Sequence, residues 1–258
     1  MYIGCVKAYL FPIRHSRDAG AVPVDIAPEA YRSGVWTERT DDNVPLAQNY
    51  KVIKRAYRHL KGTPSGVLVD VGANIGTFAL LAALLPSLRV VAFEPNPQTF
   101  HWLCENLHRN GLLDRVRAVQ LAALDTIGDA RLSVPRWEES VLATLAPPRY
   151  FEVDQVVPVR TTTLDGFLSE HPLDRIDVLK IDTEGAEQLV LRGARDTIRT
   201  FRPILIVECA KLATRQFGYE CRETLALIAE YGYRCERVAK EDFWCVPAEL
   251  ETHRPVNT

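Results

Sequence analysis

From Val67 to about Cys245, short apolar runs alternate with stretches of helical periodicity, and this alternation restricts the fold more than any other feature of the chain. "GVLVDVG", "LRVVAFEP", "VRAVQLAAL", "DVLKID" and "PILIVEC" read as buried strands. Between them "TFALLAALLP", "PQTFHWLCENLHRNG", "AEQLVLRGARDTIRTF" and "ETLALIAEYG" read as helices, the second closed by Gly111. Strand, helix, strand at this spacing predicts an α/β, Rossmann-like doubly wound, mostly parallel sheet covered on both faces. The final "YRCERV" and "DFWCVP" read as a hairpin that adds an antiparallel edge. Residues 1–63 hold scattered Pro and Gly, the polar run "TERTDDN" and the helix "LAQNYKVIKRAYRHL". They read as an N-terminal helical extension ahead of a domain over residues 64–258.

Charge narrows the partners. A formal net charge of −2 over 258 residues favours neither nucleic acid nor an anionic membrane. The longest apolar stretch, "TFALLAALL", falls well short of the roughly 18 residues of a membrane span. Six cysteines show neither a CxxC pair nor zinc-site Cys/His spacing, and the opening segment does not resemble a secretory signal. The expectation is a cytoplasmic protein with reduced, mostly buried thiols. A homo-oligomer is left open.

In a doubly wound sheet, ligands sit beyond the carboxyl ends of the strands. That selects Asp70 to Gly76, Glu94 to Asn96, Ala122 to Asp125, Asp182 to Glu187, and Glu208. The loop "GANIGTF" lacks the Lys of a nucleoside-triphosphate loop. Asn74 and Thr77 stand where a dinucleotide fingerprint requires its second and third glycines, which speaks against NAD. What remains is a strand ending in Asp70, with Gly72 and Gly76 exposing backbone N–H groups at a helix start. This arrangement suits a zwitterion, with amides for its carboxylate and Asp70 for its ammonium; S-adenosylmethionine carries such a group. Glu94, ending the next strand, is placed to accept both ribose hydroxyls. The rival readings are an NAD-dependent oxidoreductase and a non-catalytic S-adenosylmethionine-binding module.

"LVDVGANIGTF", "VVAFEPNPQTF", "VLKIDTEGAEQLVLRGA" and "RPILIVEC" resemble the successive signatures of the FkbM-type S-adenosylmethionine-dependent methyltransferases, over about residues 64 to 210. Thr183 stands where that family commonly carries Val. The resemblance implies a class I methyltransferase fold and methyl transfer to a hydroxyl of a small molecule, a sugar or natural-product intermediate. It also implies a cofactor loop of Asp70, Gly72, Ala73, Asn74 and Gly76, with Glu94 on the ribose and Pro95 and Asn96 shaping the adenosine pocket. Ala123, Leu124 and Asp125 would meet the adenine edge, while Asp182, Glu184 and Glu208 would face the transferred methyl.

A carboxylate there would take the acceptor's proton, or Asp182 and Glu208 would hold a divalent metal that lowers the hydroxyl's pKa; the sequence does not choose. Glu187 reads as a favourable helix start, and Thr162 with Asp165 as a capping box. "RWEESVLATLAPPRYFEVDQ" reads either as a lid over the acceptor or as a hairpin extending the sheet. Trp36 and Tyr31 are further candidates for acceptor contacts.

Overall fold

The computed structural model describes residues 6–8, 24–27, 38–39, 45–46, 50–136 and 142–253. The early strands form two antiparallel pairs, β1 (Val6–Ala8) with β2 (Val24–Ile26) and β3 (Glu38–Arg39) with β4 (Pro45–Leu46). Helix α1 (Tyr50–Lys61) buries Val52, Ile53, Ala56, Tyr57 and Leu60, the stripe that three- and four-residue spacing produces. Its last turn carries Arg58, His59 and Lys61, which complement the negative end of the helix dipole.

Beyond α1 come β5 (Val67–Val71), α2 (Leu81–Leu84), β6 (Arg89–Phe93), α3 (Pro97–Arg109), β7 (Val116–Val119), β8 (Ala122–Leu124), β9 (Gly128–Val134) and β10 (Gln155–Thr163). The chain continues through α4 (Leu164–Glu170), β11 (Val178–Ile181), α5 (Glu187–Gly193), α6 (Arg195–Phe201), β12 (Ile204–Glu208), α7 (Lys211–Gln216), α8 (Cys221–Glu230), β13 (Tyr233–Arg237) and β14 (Asp242–Pro247). Seven strands form one sheet in the order β13-β14-β12-β11-β5-β6-β7. The strands from β12 to β7 pair in parallel, and β14 joins β12 antiparallel. Every residue of β5 and β11 is buried, as central parallel strands covered on both faces require. One face packs on α1, α2 and α3, the other on α4, α5, α6 and α8. The order reverses between β5 and β11, and that switch point opens the crevice where the ligand-binding loops meet.

Four local expectations change. Only Leu81–Leu84 of "TFALLAALLP" is α-helical, because Asn74 (φ 51°) and Gly76 (φ 96°) hold the preceding segment in tight turns. "VRAVQLAAL" breaks after Val119, and β8 leaves the main sheet to pair in parallel with β10. "AEQLVLRGARDTIRTF" divides into α5 and α6 at Gly193, whose missing side chain lets it lie against β8; a Cβ there would fall 1.8 Å from the Leu124 carbonyl oxygen. Thr163, not Thr162, caps α4 by accepting from Gly166 N, while Asp165 accepts from Asp196 N and Thr197 N at the start of α6.

The hairpin around "RWEESVLATLAPPRYFEVDQ" does form, from β9 and β10, but in a separate three-stranded sheet with β8 rather than as an extension of the main sheet. Trp137, Glu138 and Glu139 lie outside the described residues, as do Tyr31 and Trp36. The described N-terminal segment docks firmly: Asn110 Oδ1 accepts from Asp25 N and Asn106 Oδ1 from Ala27 N. The Asn106 amide, fully buried, also donates to the Ile75 carbonyl in the loop after β5.

The expectation of reduced thiols is not met. Cys209 and Cys221 form one disulfide and Cys235 and Cys245 another, with Cα separations of 5.4 and 4.0 Å. The antiparallel register of β13 and β14 sets the second pair directly opposite each other, a proximity that the linear spacing of the cysteines does not reveal. Cys104 is free and half-buried. Among the described residues no helix is long and apolar enough to cross a membrane.

Candidate active site

The loop after β5 turns sharply at Gly72 (φ 79°), and this glycine allows the loops after β5 and β11 to touch. A Cβ at Gly72 would lie 1.7 Å from the Asp182 carbonyl oxygen. Gly72 N and Ala73 N both donate to the Phe93 carbonyl, tying the loop to β6. Asn74 N donates to Glu94 Oε2 at 2.8 Å, Ile75 N to the Asn74 side chain, and Gly76 N to the Ala73 carbonyl. The amides expected to hold a ligand carboxylate are therefore bonded within the protein, because no long helix begins here to leave them unpaired.

Glu94 organises the adjoining loop. Its Oε1 accepts from Asn96 N and the Thr99 hydroxyl, so with Asn74 three donors already meet the carboxylate. A carboxylate offers about four acceptor positions, which leaves room for one further hydroxyl. Burial raises its pKa, opposed by those three donors and Lys180.

The register of β5 and β11 pairs Lys180 with Asp70, side by side on one face of the sheet. Lys180 Nζ lies 3.2 Å from Asp70 Oδ1 and 3.2 Å from Asp182 Oδ2, and donates to the Gly72 carbonyl at 2.9 Å. Burial alone would lower the lysine's pKa, but the charges of Asp182 and Asp70 outweigh it and hold the ammonium above its ordinary value. Asp70 is fully buried, and burial raises its pKa against the opposing pull of Lys180. It does not line the cavity, so its partner is the lysine rather than a ligand ammonium. Sequence reasoning passed over Lys180, although a lone Lys inside the apolar run "DVLKID" signals that a buried acid must lie beside it.

Past β11 the chain turns through Asp182, Thr183, Glu184 and Gly185. Glu184 adopts φ 50°, a left-handed conformation uncommon for a residue with a side chain. Glu187 maintains this turn, its Oε1 accepting from Thr183 N, the Thr183 hydroxyl and Gly185 N. The helix-start role expected for Glu187 thus extends to capping the turn. The Tyr219 hydroxyl donates to the Gly185 carbonyl from the opposite side.

Asp182, Glu184 and Glu208 converge, with one carboxylate oxygen of each within 4.8 Å of the others. Burial first and then the charge of Asp182 hold both Glu184 and Glu208 well above the usual carboxylate range, with Glu187 and Glu241 adding to the shift of Glu184 and Glu184 to that of Glu208. A hydrogen bond to Asp182 also favours the protonated form of Glu208. Next to them Asp242 is pushed up to about 7, by burial and then by Asp182, and burial pushes Glu187 up to about 7.

This has a consequence for stability. Asp242 and Glu187 have folded pKa values near 7, above their ordinary values of 3.8 and 4.5. Between about pH 4 and pH 7 the folded chain therefore binds more protons than the unfolded one, and stability falls as pH rises through that window. We expect thermal unfolding to occur several degrees higher at about pH 5.5 than at about pH 8, on the order of 2 kcal/mol for each such group. Asp242→Asn should flatten the profile measured by calorimetry.

A cavity of about 440 Å³ opens over these loops. Of the residues singled out in the sequence, Gly72, Ala73, Asn74, Glu94, Pro95, Ala123, Leu124, Asp182, Glu184 and Glu208 line it. Asp70, Gly76, Asn96 and Asp125 do not. Gly76 lies against Leu103, where a Cβ would meet Cδ1 at 2.6 Å, and Asn96 caps α3 by accepting from Gln98 N. Asp125 lies half-buried just past the end of β8. No described residue before Val71 reaches the lining. Thr77, Phe78, the 142–151 segment and α7 contribute walls that the sequence reading did not assign to the cofactor or the reacting group.

The strand order, the antiparallel β14 and the switch-point cavity define a doubly wound α/β protein. Residues 70–235, more than half of the chain, match the methyltransferase FkbM domain, and the protein belongs to that family. The 2-O-methyltransferase NoeI of Sinorhizobium fredii is 29% identical over 154 residues, 54% of this chain and 61% of that protein. The 31-O-demethyl-FK506 methyltransferase FkbM of Streptomyces tacrolimicus is 30% identical over 160 residues, 52% of this chain and 61% of that protein. The matches thus span about three fifths of each of these curated relatives. Among solved structures, cofactor-bound Rv0187 from MTB superposes with a TM-score of 0.51 at 16% identity, covering 85% of this chain and 86% of that one, a likeness of fold.

Proposed function

We propose that the protein transfers a methyl group from S-adenosylmethionine to a hydroxyl oxygen of a small molecule, a sugar or natural-product intermediate. Residues 64–258 form the methyltransferase domain in this reading, with 1–63 as its extension. The observation that supports it is a switch-point cavity, within the stretch that matches the family, in which the loop after β5 faces the converging carboxylates of Asp182, Glu184 and Glu208. Glu94 takes one ribose hydroxyl, Pro95 bounds the adenosine, and Ala123 and Leu124 meet the adenine. The side chains of Asn74 and Thr77 contact the amino-acid end, in place of the loop amides.

Methyl transfer is an in-line displacement at the sulfonium carbon: the acceptor oxygen forms a bond to the methyl, the carbon–sulfur bond breaks, and the hydroxyl proton must leave. Asp182 orients the hydroxyl, and the Asp182–Glu208 pair takes the proton. A second use of the same groups is favoured by the convergence of Asp182, Glu184 and Glu208 within 4.8 Å: oxygen ligation of a divalent cation. Turnover that survives a chelator decides for direct proton transfer.

The test is incubation with S-adenosylmethionine labelled in its methyl group and paired hydroxyl and amine acceptors, read by mass spectrometry. O-methylated products are expected. Methylated amines alone would overturn the oxygen assignment.

A further inference from the structure

Leu132, Leu142, Leu145, Tyr150, Phe151 and Leu212 give the cavity a second, apolar character. Leu142, Tyr150 and Leu212 are 37%, 46% and 55% exposed, so three of the eight exposed large apolar side chains among the described residues gather at this one cavity. Exposed apolar surface concentrated around a concave site marks contact with a ligand. Part of this wall is fixed in place. Thr144, 1% exposed, exchanges two backbone hydrogen bonds with Ser133 at 2.9 and 3.0 Å, and its hydroxyl donates to the Glu184 carbonyl at 3.1 Å. The segment carrying Leu142, Ala143 and Leu145 is thereby clipped both to β9 and to the turn that bears the carboxylates.

The charges of the lining are unequal. Glu94, Asp182, Glu184, Glu208 and Glu241 line the cavity, against Lys180 and Lys240, and no arginine is among the described lining residues. The Lys180 ammonium is already engaged by Asp70, Asp182 and the Gly72 carbonyl. Lys240 lies 3.8 Å from Glu241. A carboxylate or phosphate on the acceptor would enter beside Asp182 and Glu241, with none of the bidentate guanidinium partners that such groups bind best among the described lining residues.

We infer that the acceptor, in the methyltransferase reading on which this inference rests, is an uncharged hydroxylated molecule with an apolar face, and not a uronic acid or a phosphorylated or nucleotide-linked sugar. The apolar wall receives its skeleton and the carboxylates receive its hydroxyl.

The experiment titrates alkyl and aryl glucosides, each paired with the corresponding glucuronide, into the protein saturated with S-adenosylhomocysteine, by calorimetry. Neutral members should bind at least tenfold more tightly than their anionic partners. Leu212→Asp, at an exposed position that a polar side chain can occupy without unfolding the chain, should weaken the neutral ligands at least tenfold and leave S-adenosylhomocysteine affinity unchanged. Equal or tighter binding of the glucuronides, absence of binding by every neutral member, or indifference to Leu212→Asp overturns the inference alone. Failure of S-adenosylhomocysteine itself to bind would bring down the methyltransferase reading with it.

Discussion

Lys180→Met should destabilise the protein by about 3–5 kcal/mol, because it leaves a fully buried Asp70 with no counter-charge. The ammonium lies against Asp70, Asp182 and the Gly72 carbonyl, and 5.2 Å from the centroid of Phe78, so one substitution strips charge from the sheet and from two binding loops together. For a chain of this size the loss corresponds to a fall in melting temperature of roughly 6–20 °C. Replacing both members, Lys180→Met with Asp70→Leu, should recover much of it, since an apolar pair needs no desolvation of charge. Urea denaturation of the single and double variants checks this. A loss below about 1 kcal/mol for the single variant would contradict a buried charge network.

Asp182→Asn and Glu208→Gln should each lower methyl transfer by about 10²- to 10⁴-fold on a verified acceptor while leaving S-adenosylhomocysteine affinity within about threefold of the parent. Both changes preserve shape and remove the ability to take a proton. In the parent, the rate should fall on acidification with a midpoint above the ordinary carboxylate range, since burial and neighbouring negative charge raise the pKa of Glu208 and Glu184. Activity and stability therefore run in opposite directions with pH: deprotonation that readies the site for transfer places negative charges together in a half-buried cluster. Near-parental rates in both variants, with and without chelator, would remove these carboxylates from the chemistry.

The parallel sheet, its antiparallel edge and most helices are legible in the sequence because buried strands such as "VLVDV" and "ILIVE" are apolar runs broken only by one acid near the carboxyl end, and the hairpin "YRCERV"/"DFWCVP" closes the sheet at the predicted edge. "TFALLAALLP" misleads because apolarity without a polar face gives burial but not helical phase; Phe78 to Ala82 are all at most 2% exposed. At the site, position after a strand singled out Glu94, Asp182, Glu184 and Glu208, and all four line the cavity. It failed for Asp70, since whether a strand-ending acid faces the ligand or a neighbouring strand depends on register, and here Lys180 is its partner across the ladder. The Cys235–Cys245 pair was hidden for the same reason. The 142–151 wall falls within the segment read as a lid over the acceptor, and it lines the cavity, although its loop offers no periodicity from which to place individual side chains.

Calorimetric titration of S-adenosylhomocysteine into the parent protein and into Glu94→Ala tests the central claim most directly, with thermal unfolding confirming that the variant remains folded. The account predicts micromolar binding that weakens at least tenfold in the variant, a loss of about 1.4 kcal/mol or more. Absence of binding by the folded parent, or binding that is indifferent to Glu94, would contradict the placement of the cofactor at the switch between β5 and β11.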